Sequence, residues 1–335
     1  MTGSAGAPQG AHPIEVRGLV KRYGDLTAVA GVDLTVRSGD VYGYLGPNGA
    51  GKTTSLRMML GLIRPTAGTV RLFGRDPMQS VRALEGVAGF VEAPTFYPYL
   101  TARRNLELLA AFDGGDAGDR IDAALETVEL SDRQRDRVGG YSHGMRQRLG
   151  IAAALLRAPR LLLLDEPATG LDPAGMRDMR LLIRRLAAQG ITVLLSSHLL
   201  GEVQEVCNRV AIVRAGRIVY EGEIAALAAG GGSRYRLQTT DDARALEVCR
   251  AQPGIADVTL EHGRITFVAE EASVAELSQA LVEAGALIRA LTPQAVTLED
   301  LFFSFTEGDG EAAARAAGDG VAALAQAAHG GGAAR

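Results

Sequence analysis

Short apolar runs separated by turn residues dominate the first 45 positions. IEVRGLV from Ile14, VDLTV at 32–36 and VYGYL at 41–45 read as strands, and the last leads straight into a glycine-rich turn. Helical spacing takes over at 54–63 and stops near Pro65; it returns at 101–112 and 119–130 within a mixed stretch that reaches about residue 155. Leu161–Leu164 is an apolar run between Pro159 and Asp165, short enough for a strand buried on both faces. Asp172 followed by Pro173 predicts a helix start, with a carboxylate cap and proline at the first helical position. That helix should run to Gly190 and be followed by a second buried strand, ITVLLSS. Buried strands alternating with helices predict a parallel sheet covered on both faces.

The pattern changes at 228–233, where AAGGGS reads as a flexible linker. Beyond it come a strand at 234–239, a helix at 242–251, a strand at 255–260, a turn at His262-Gly263, a strand at 264–268, a helix at 274–284 and a strand at 286–291. Ser273 and Glu276 have the spacing of a capping box for the second of these helices. The order strand-helix-strand-strand-helix-strand predicts a small ferredoxin-like α+β domain within 234–305. A last helix, from Thr297, carries Leu298, Leu301, Phe302 and Phe305 on one stripe, which packs on its own domain or docks on a partner. Residues 1–12 and the Ala/Gly-rich stretch 306–335 have too few large apolar residues to offset their ordering entropy and are expected to be disordered.

A chain of 335 residues accommodates one large domain and one small one. Its 35 basic and 39 acidic residues argue against a sequence-independent nucleic-acid binder, which carries a basic surplus. Cys207 and Cys249 are too few for a disulfide framework, so a reducing compartment is expected. No apolar run has the length needed to cross a bilayer, and the first dozen residues lack the basic start and apolar stretch of a signal peptide. The expectation is a chain that does not itself span a membrane.

Chemistry concentrates in the turn after VYGYL. Gly46-Pro47-Asn48-Gly49-Ala50-Gly51-Lys52-Thr53 has the phosphate-loop spacing G-x-x-x-x-G-K-[ST], and Thr54 follows it into the helix. Glycines let backbone N–H groups converge on a phosphate, and the helix start adds orphan donors and a favourable dipole. Lys52, one of only two lysines, reaches the β- and γ-oxygens, and the Thr53 hydroxyl can ligand Mg²⁺. The other half of such a site is an acid ending a buried strand. LLLLDEP supplies Asp165 for the metal, 113 residues after Lys52, and beside it Glu166 to polarise an attacking water. An Asp-Glu-Pro turn is the bland alternative. His198 follows the next buried strand, at the end of the sheet where ligands collect, and is read as a γ-phosphate contact rather than a core histidine.

Together these residues resemble the ATP-binding subunit of an ABC transporter over about residues 14–222. Tyr141-Ser142-His143-Gly144-Met145 stands where that family has its LSGGQ signature, 23 residues before Asp165 when counted from Ser142. The resemblance implies a P-loop NTPase core with antiparallel β and helical subdomains, the latter at about 93–157 of an ATP-binding domain spanning 13–227. It also implies a dimer in which Ser142 and Gly144 of one chain close over Mg·ATP held by a second ATP-binding subunit, read here as an identical copy. Tyr23 matches the aromatic that stacks on adenine, and Asp172, in ATGLD, matches the loop that communicates between the two sites. Two segments depart from the pattern: Glu92 replaces a glutamine that faces Mg²⁺, and His143 and Met145 replace Gly and Gln. A glycine at 143 is accordingly expected to preserve ATPase activity.

These departures, and TLEDLF at 297–302, resemble the subgroup that exports antibiotics such as bacitracin. The implied role is ATP hydrolysis powering a separate membrane permease from the cytoplasmic face of the membrane; an importer subunit and a soluble non-transport ABC ATPase are the alternatives. Phe90, Phe96, Tyr97 and Tyr99 gather four of the sixteen aromatic residues. They either pack inside the helical subdomain or, as a patch, meet the permease. Arg133, Arg135 and Arg137 read as a solvated face.

Overall fold

The computed structural model describes residues 11–225, 233–261 and 264–294. The chain divides into two compact units, Met1–Glu223 and Ile224–Arg335. The helix expected from Thr297, the turn at His262-Gly263 and the stretch 306–335 lie outside the described residues.

The first unit is built on two sheets. Strands β1 (Ile14–Tyr23), β2 (Leu26–Val36) and β4 (Ala67–Leu72) form an antiparallel sheet in the order β2-β1-β4. β2 starts six residues earlier than VDLTV predicts, because Tyr23 and Leu26 pair across a tight turn and the pairing with β1 continues, through register shifts, to Val36 although the alternation of buried positions breaks between Val29 and Val32. The second sheet has the order β5-β6-β7-β3-β8-β9, from β3 (Val41–Leu45), β5 (Val87–Phe90), β6 (Leu161–Asp165), β7 (Thr192–Ser197), β8 (Arg209–Arg214) and β9 (Arg217–Glu223). All its pairings are parallel except that of β8 with β9.

Every residue of β3, β6 and β7 is buried, which is why they read as unbroken apolar runs. Each of the four leucines in β6 is fully buried and contributes on the order of 2 kcal/mol of transfer free energy. Gly89 in β5 is obligatory for this packing: a Cβ there would lie 1.9 Å from the Leu163 carbonyl oxygen. One core joins the two sheets. Ile14, Val16, Leu34 and Val70 meet Tyr44, Leu161, Leu163 and Leu194, and α1 (Lys52–Met59) inserts Leu56, Met58 and Met59 among them. α1 thus begins at Lys52 and ends at Met59, earlier at both ends than the spacing at 54–63 predicts.

Between β5 and β6 lie α2 (Ala102–Asp113), α3 (Ile121–Thr127) and α4 (His143–Leu155). α3 is shorter than the 119–130 pattern predicts, and a single-turn helix at Ala117–Arg120 leads into it. After β6 come α5 (Pro173–Ala188) and, after β7, α6 (Leu200–Val206). Among the described residues no helix is long and apolar enough to cross a membrane.

In the second unit, β10 (Ser233–Thr239), α7 (Asp242–Ala251), β11 (Ile255–Glu261), β12 (Arg264–Ala269), α8 (Glu271–Glu283) and β13 (Ile288–Gln294) follow one another. Their antiparallel sheet has the order β11-β12-β10-β13, and Leu237, Phe267, Leu277 and Leu281 are fully buried in its core. The expected capping box does not form: α8 is entered at Glu270 without a side-chain cap, so Ser273 lies inside the helix. Acidic Glu271 in the first turn suits the positive end of the helix dipole and helps start it early.

Candidate functional site

Three buried strands, β3, β6 and β7, deliver their carboxyl ends to one place. β3 runs into the turn 46–51, and the Gly46 N–H donates to the Ser197 carbonyl at the end of β7 at 3.1 Å. Gly51 caps α1 at φ 99° without a side-chain bond, leaving backbone donors at the helix start. Gly49 and Gly51 both have positive φ, but their surroundings differ. A Cβ at Gly49 meets nothing within 4 Å, whereas one at Gly51 would stand 2.3 Å from the Ala28 carbonyl oxygen. Gly49→Ala is therefore expected to cost about 1–2 kcal/mol in left-handed strain and keep the fold. Gly51→Ala, which adds a backbone clash, should cost roughly 3 kcal/mol or more and lose nucleotide binding. Thermal denaturation and titration with a fluorescent ATP analogue check both; equal losses would contradict the assigned difference.

Lys52 is buried, and its ammonium donates to the Gly46 carbonyl at 2.6 Å and the Pro47 carbonyl at 3.2 Å. It also lies 3.2 Å from Glu166 Oε1. Thr53 and Thr54 follow in the first turn of α1, both partly exposed. Pro47, Asn48 and Ala50 complete the loop, with the Ala50 N–H donating to the Pro47 carbonyl at 3.2 Å.

Asp165 ends β6, buried, and accepts the Ser196 hydroxyl at 2.5 Å. Ser196 Oγ in turn accepts the Glu166 N–H at 3.0 Å. Glu166 turns out of the strand at φ 50°, a left-handed conformation costing on the order of 1–3 kcal/mol in a non-glycine residue. The turn swings its carboxylate toward three donors. Besides Lys52 on Oε1, Oε2 accepts the Thr169 hydroxyl at 2.8 Å and His198 Nδ1 at 2.8 Å. Partial burial alone would raise the Glu166 carboxyl; the Thr169 hydroxyl, the Lys52 charge and His198 outweigh it and hold it below the ordinary glutamate range.

Ser142, Gly144 and Asp172 gather at a second place. Ser142 caps α4 by accepting the Met145 N–H at 3.2 Å, and Asp172 caps α5 by accepting the Gly175 N–H at 3.0 Å. The two helix starts border a cavity of about 400 Å³ whose walls include Ser142, His143, Gly144, Leu171 and Asp172, but no residue of the phosphate loop. Tyr23 stands half exposed at the end of β1, with Lys21 Nζ 5.0 Å from its ring centroid. Glu92, also at positive φ (72°), is exposed and paired with Arg57 of α1. Among the described residues no three His, Cys, Asp or Glu side chains converge as a metal site. Hard oxygen donors from one or two carboxylates and a hydroxyl, completed by phosphate, form the donor set Mg²⁺ takes with a nucleotide; the Asp165 carboxylate and the Thr53 hydroxyl are donors of that kind, as is the Glu92 carboxylate, which here is paired with Arg57.

The aromatic loop divides. Phe90 and Pro94 face Gly150 of α4, where a Cβ would meet them at 3.4 and 2.5 Å. Tyr97 and Tyr99 stay exposed, with ring centroids 5.8 Å apart, and Phe96 is half-buried. Buried Asn105 holds the loop by accepting the Tyr97 N–H and donating to the Tyr97 and Thr101 carbonyls. Arg133, Arg135 and Arg137 are exposed. Sequence reasoning missed Thr169, Ser196 and the exposed Phe112 of α2; the first two had a usable signal, standing three residues after Glu166 and two before His198.

A glycine-lined phosphate turn after β3, with an acid pair at the end of β6 and β7 lying between these two parallel strands, defines a P-loop nucleoside-triphosphate hydrolase. The family profile described as "ABC transporter" matches residues 29–169. The chain is similar to the bacitracin transport ATP-binding protein BcrA of Enterococcus faecalis, at 37% identity over 89% of this chain and 97% of the relative. It is also similar to the daunorubicin resistance ATP-binding protein DrrA3 of Streptomyces coeruleorubidus, at 37% identity over 88% of this chain and 96% of that one. The crystal structure of an ATP-binding cassette of an ABC transporter in its ADP conformation superposes with a TM-score of 0.60 at 25% identity, covering 65% of this chain and 95% of that one. The chain belongs to the ATP-binding subunits of ABC transporters, and it is an ATPase.

Proposed function

We propose that this ATPase powers a separate membrane permease that exports a drug, antibiotic or other hydrophobic compound, docked peripherally on the cytoplasmic face of the membrane. The relatives' printed roles in bacitracin transport and daunorubicin resistance, matched over nearly the whole chain, support the direction and the class of cargo. The observation that carries the catalytic reading is one carboxylate, Glu166, held by Lys52, Thr169 and His198 beside buried Asp165.

Two copies close on two nucleotides in this reading. Tyr23 stacks on the adenine, and Gly46, Pro47, Asn48, Gly49, Ala50, Gly51 and Thr54 cradle the phosphates with backbone and hydroxyl donors. Lys52 exchanges its resting carbonyl partners for β- and γ-oxygens. Thr53 and Asp165, with Glu92, would hold Mg²⁺, which offsets charge on the phosphates when bound. Glu166 orients the attacking water and takes up its proton. His198, and Ser142 and Gly144 of the opposing copy, stabilise charge on the γ-phosphoryl group, while Asp172 links the two sites.

The residue ranges follow the same reading: an ATP-binding domain at 13–227 with a helical subdomain near 93–157, a linker at 228–233 and a ferredoxin-like accessory domain at 234–305. The sheet order of the second unit supports that last assignment. Exposed Tyr97 and Tyr99, with half-buried Phe96, form the surface assigned to the permease. The test is to purify the chain with its permease, reconstitute the complex in vesicles and follow hydrophobic drugs and peptide antibiotics. ATP-dependent movement out of the nucleotide-exposed compartment is expected; movement that proceeds without ATP would rule the reading out.

A further inference from the structure

His143 departs from the signature pattern, and its side chain has a definite partner. Nε2 donates to the Thr169 carbonyl at 3.0 Å, from the first residue of α4. The ring lies against the turn that follows: a Cβ at Gly170, which has φ 76°, would meet His143 Cδ2 and Nε2 at 3.5 Å. Next to it, a Cβ at Gly144 would be 3.5 Å from Leu171 Cδ2, so the first turn of α4 packs on Thr169–Leu171 through two consecutive residues. Thr169 is anchored from the other side by Glu166. Its N–H donates to the Glu166 carbonyl at 3.1 Å, and its hydroxyl donates to Glu166 Oε2 at 2.8 Å. One residue therefore carries the imidazole on its carbonyl and the Glu166 carboxylate on its hydroxyl.

We propose that His143 is a positioning residue for Glu166: it fixes the Thr169 turn, and through it ties the signature end of α4 to the water-orienting carboxylate of the same chain. The inference rests on the reading of Glu166 given above. It goes beyond that reading, because a glycine at this position has no side chain with which to make the link, and it reverses the expectation that glycine at 143 is harmless. Thr169 and Gly170 are exposed, and the other backbone bonds of the turn are local to it, the Thr169 N–H on the Glu166 carbonyl and the Leu171 N–H on the Ala168 carbonyl at 3.3 Å, so the imidazole is the hydrogen-bond donor that reaches it from α4. The bond needs only a proton on Nε2, which both the corresponding neutral tautomer and the imidazolium supply.

The test compares steady-state ATP hydrolysis by the full-length native chain, His143→Leu, His143→Gln, Thr169→Val and the double variant His143→Leu/Thr169→Val. Leucine keeps apolar bulk against Gly170 and removes the donor; glutamine restores an N–H near the Nε2 position. His143→Leu is expected to lower kcat about fivefold to tenfold with KM for ATP within about twofold, the rate equivalent of one hydrogen bond that acts on the transition state alone. His143→Gln should recover to within about twofold of native, and the double variant should be no slower than Thr169→Val, since the two changes interrupt one chain of contacts. If leucine fails to fold, His143→Ala serves as the donor-free variant with the same expected split. A donor-free variant with native kcat, one that raises KM alone, or a glutamine variant as slow as leucine would overturn the proposal. Glu166→Gln measured in parallel separates the two readings: a nearly inactive Glu166→Gln with a native-rate His143→Leu removes only the role of His143. A Glu166→Gln that turns over normally removes both.

Discussion

Glu166→Gln should lower ATP turnover by about two to four orders of magnitude, the usual contribution of a positioned general base, while leaving nucleotide binding intact. The local geometry makes the isosteric change more severe than its size. The carboxylate meets three donors, Lys52 Nζ at 3.2 Å, Thr169 Oγ1 at 2.8 Å and His198 Nδ1 at 2.8 Å. An amide offers one acceptor oxygen and turns its NH₂ toward a donor, so at least one of the three loses its partner. It also abolishes the proton acceptor, which hydrolysis needs and nucleotide binding does not. With ATP bound but uncleaved, the closed pair of subunits should accumulate. Phosphate release under single-turnover conditions and size-exclusion chromatography with Mg·ATP check the two halves of this expectation. Native-rate hydrolysis by the variant would show that another group orients the water, and a chain that stays monomeric with ATP bound would remove the shared-site reading.

Lys52→Ala is expected to be the second most damaging change, and it fails at an earlier step. Without nucleotide the buried ammonium satisfies the Gly46 and Pro47 carbonyls and balances the partly buried Glu166. Alanine removes the donor from all three groups and takes from Glu166 one of the groups that hold its carboxyl low, so that carboxyl moves upward. It also removes the cation that follows charge onto the transferring phosphoryl group. Turnover should fall by about a hundredfold or more, with ATP affinity falling too, because the lysine acts on ground state and transition state alike. Equilibrium titration with ATP beside the steady-state rate separates the two losses. Unchanged affinity with lost turnover would confine the lysine to the transition state and contradict the grip assigned to it.

The motifs were legible because each is local. Gly46 to Thr53 encode a left-handed turn and a helix start within eight positions, and Asp172-Pro173 encodes a cap that forms as expected. Fully buried strands announce themselves by losing their polar alternation, as LLLLD does. Boundaries were less legible where two signals compete. VDLTV concealed the first half of β2, since Thr27 and Gly31 interrupt its apolar pattern while the pairing with β1 continues past them. Ser273 lost to Glu270 as the start of α8, because acidic residues at a helix entrance compete with a hydroxyl cap.

Residue identity alone established that a phosphate-holding loop, an acid pair and a signature-like helix start exist in this chain, since each depends on neighbours within a few bonds. It could not establish who touches whom. Lys52 and Glu166 meet only because β6 lies one strand away from β3 in the sheet, with β7 between them, an order unrelated to their order in the chain. The left-handed turn at Glu166, the hydroxyl of Thr169 and the imidazole of His143 then converge through that packing. Contacts between distant segments depend on how strands and helices assemble around a shared core, and that arrangement carries the chemistry.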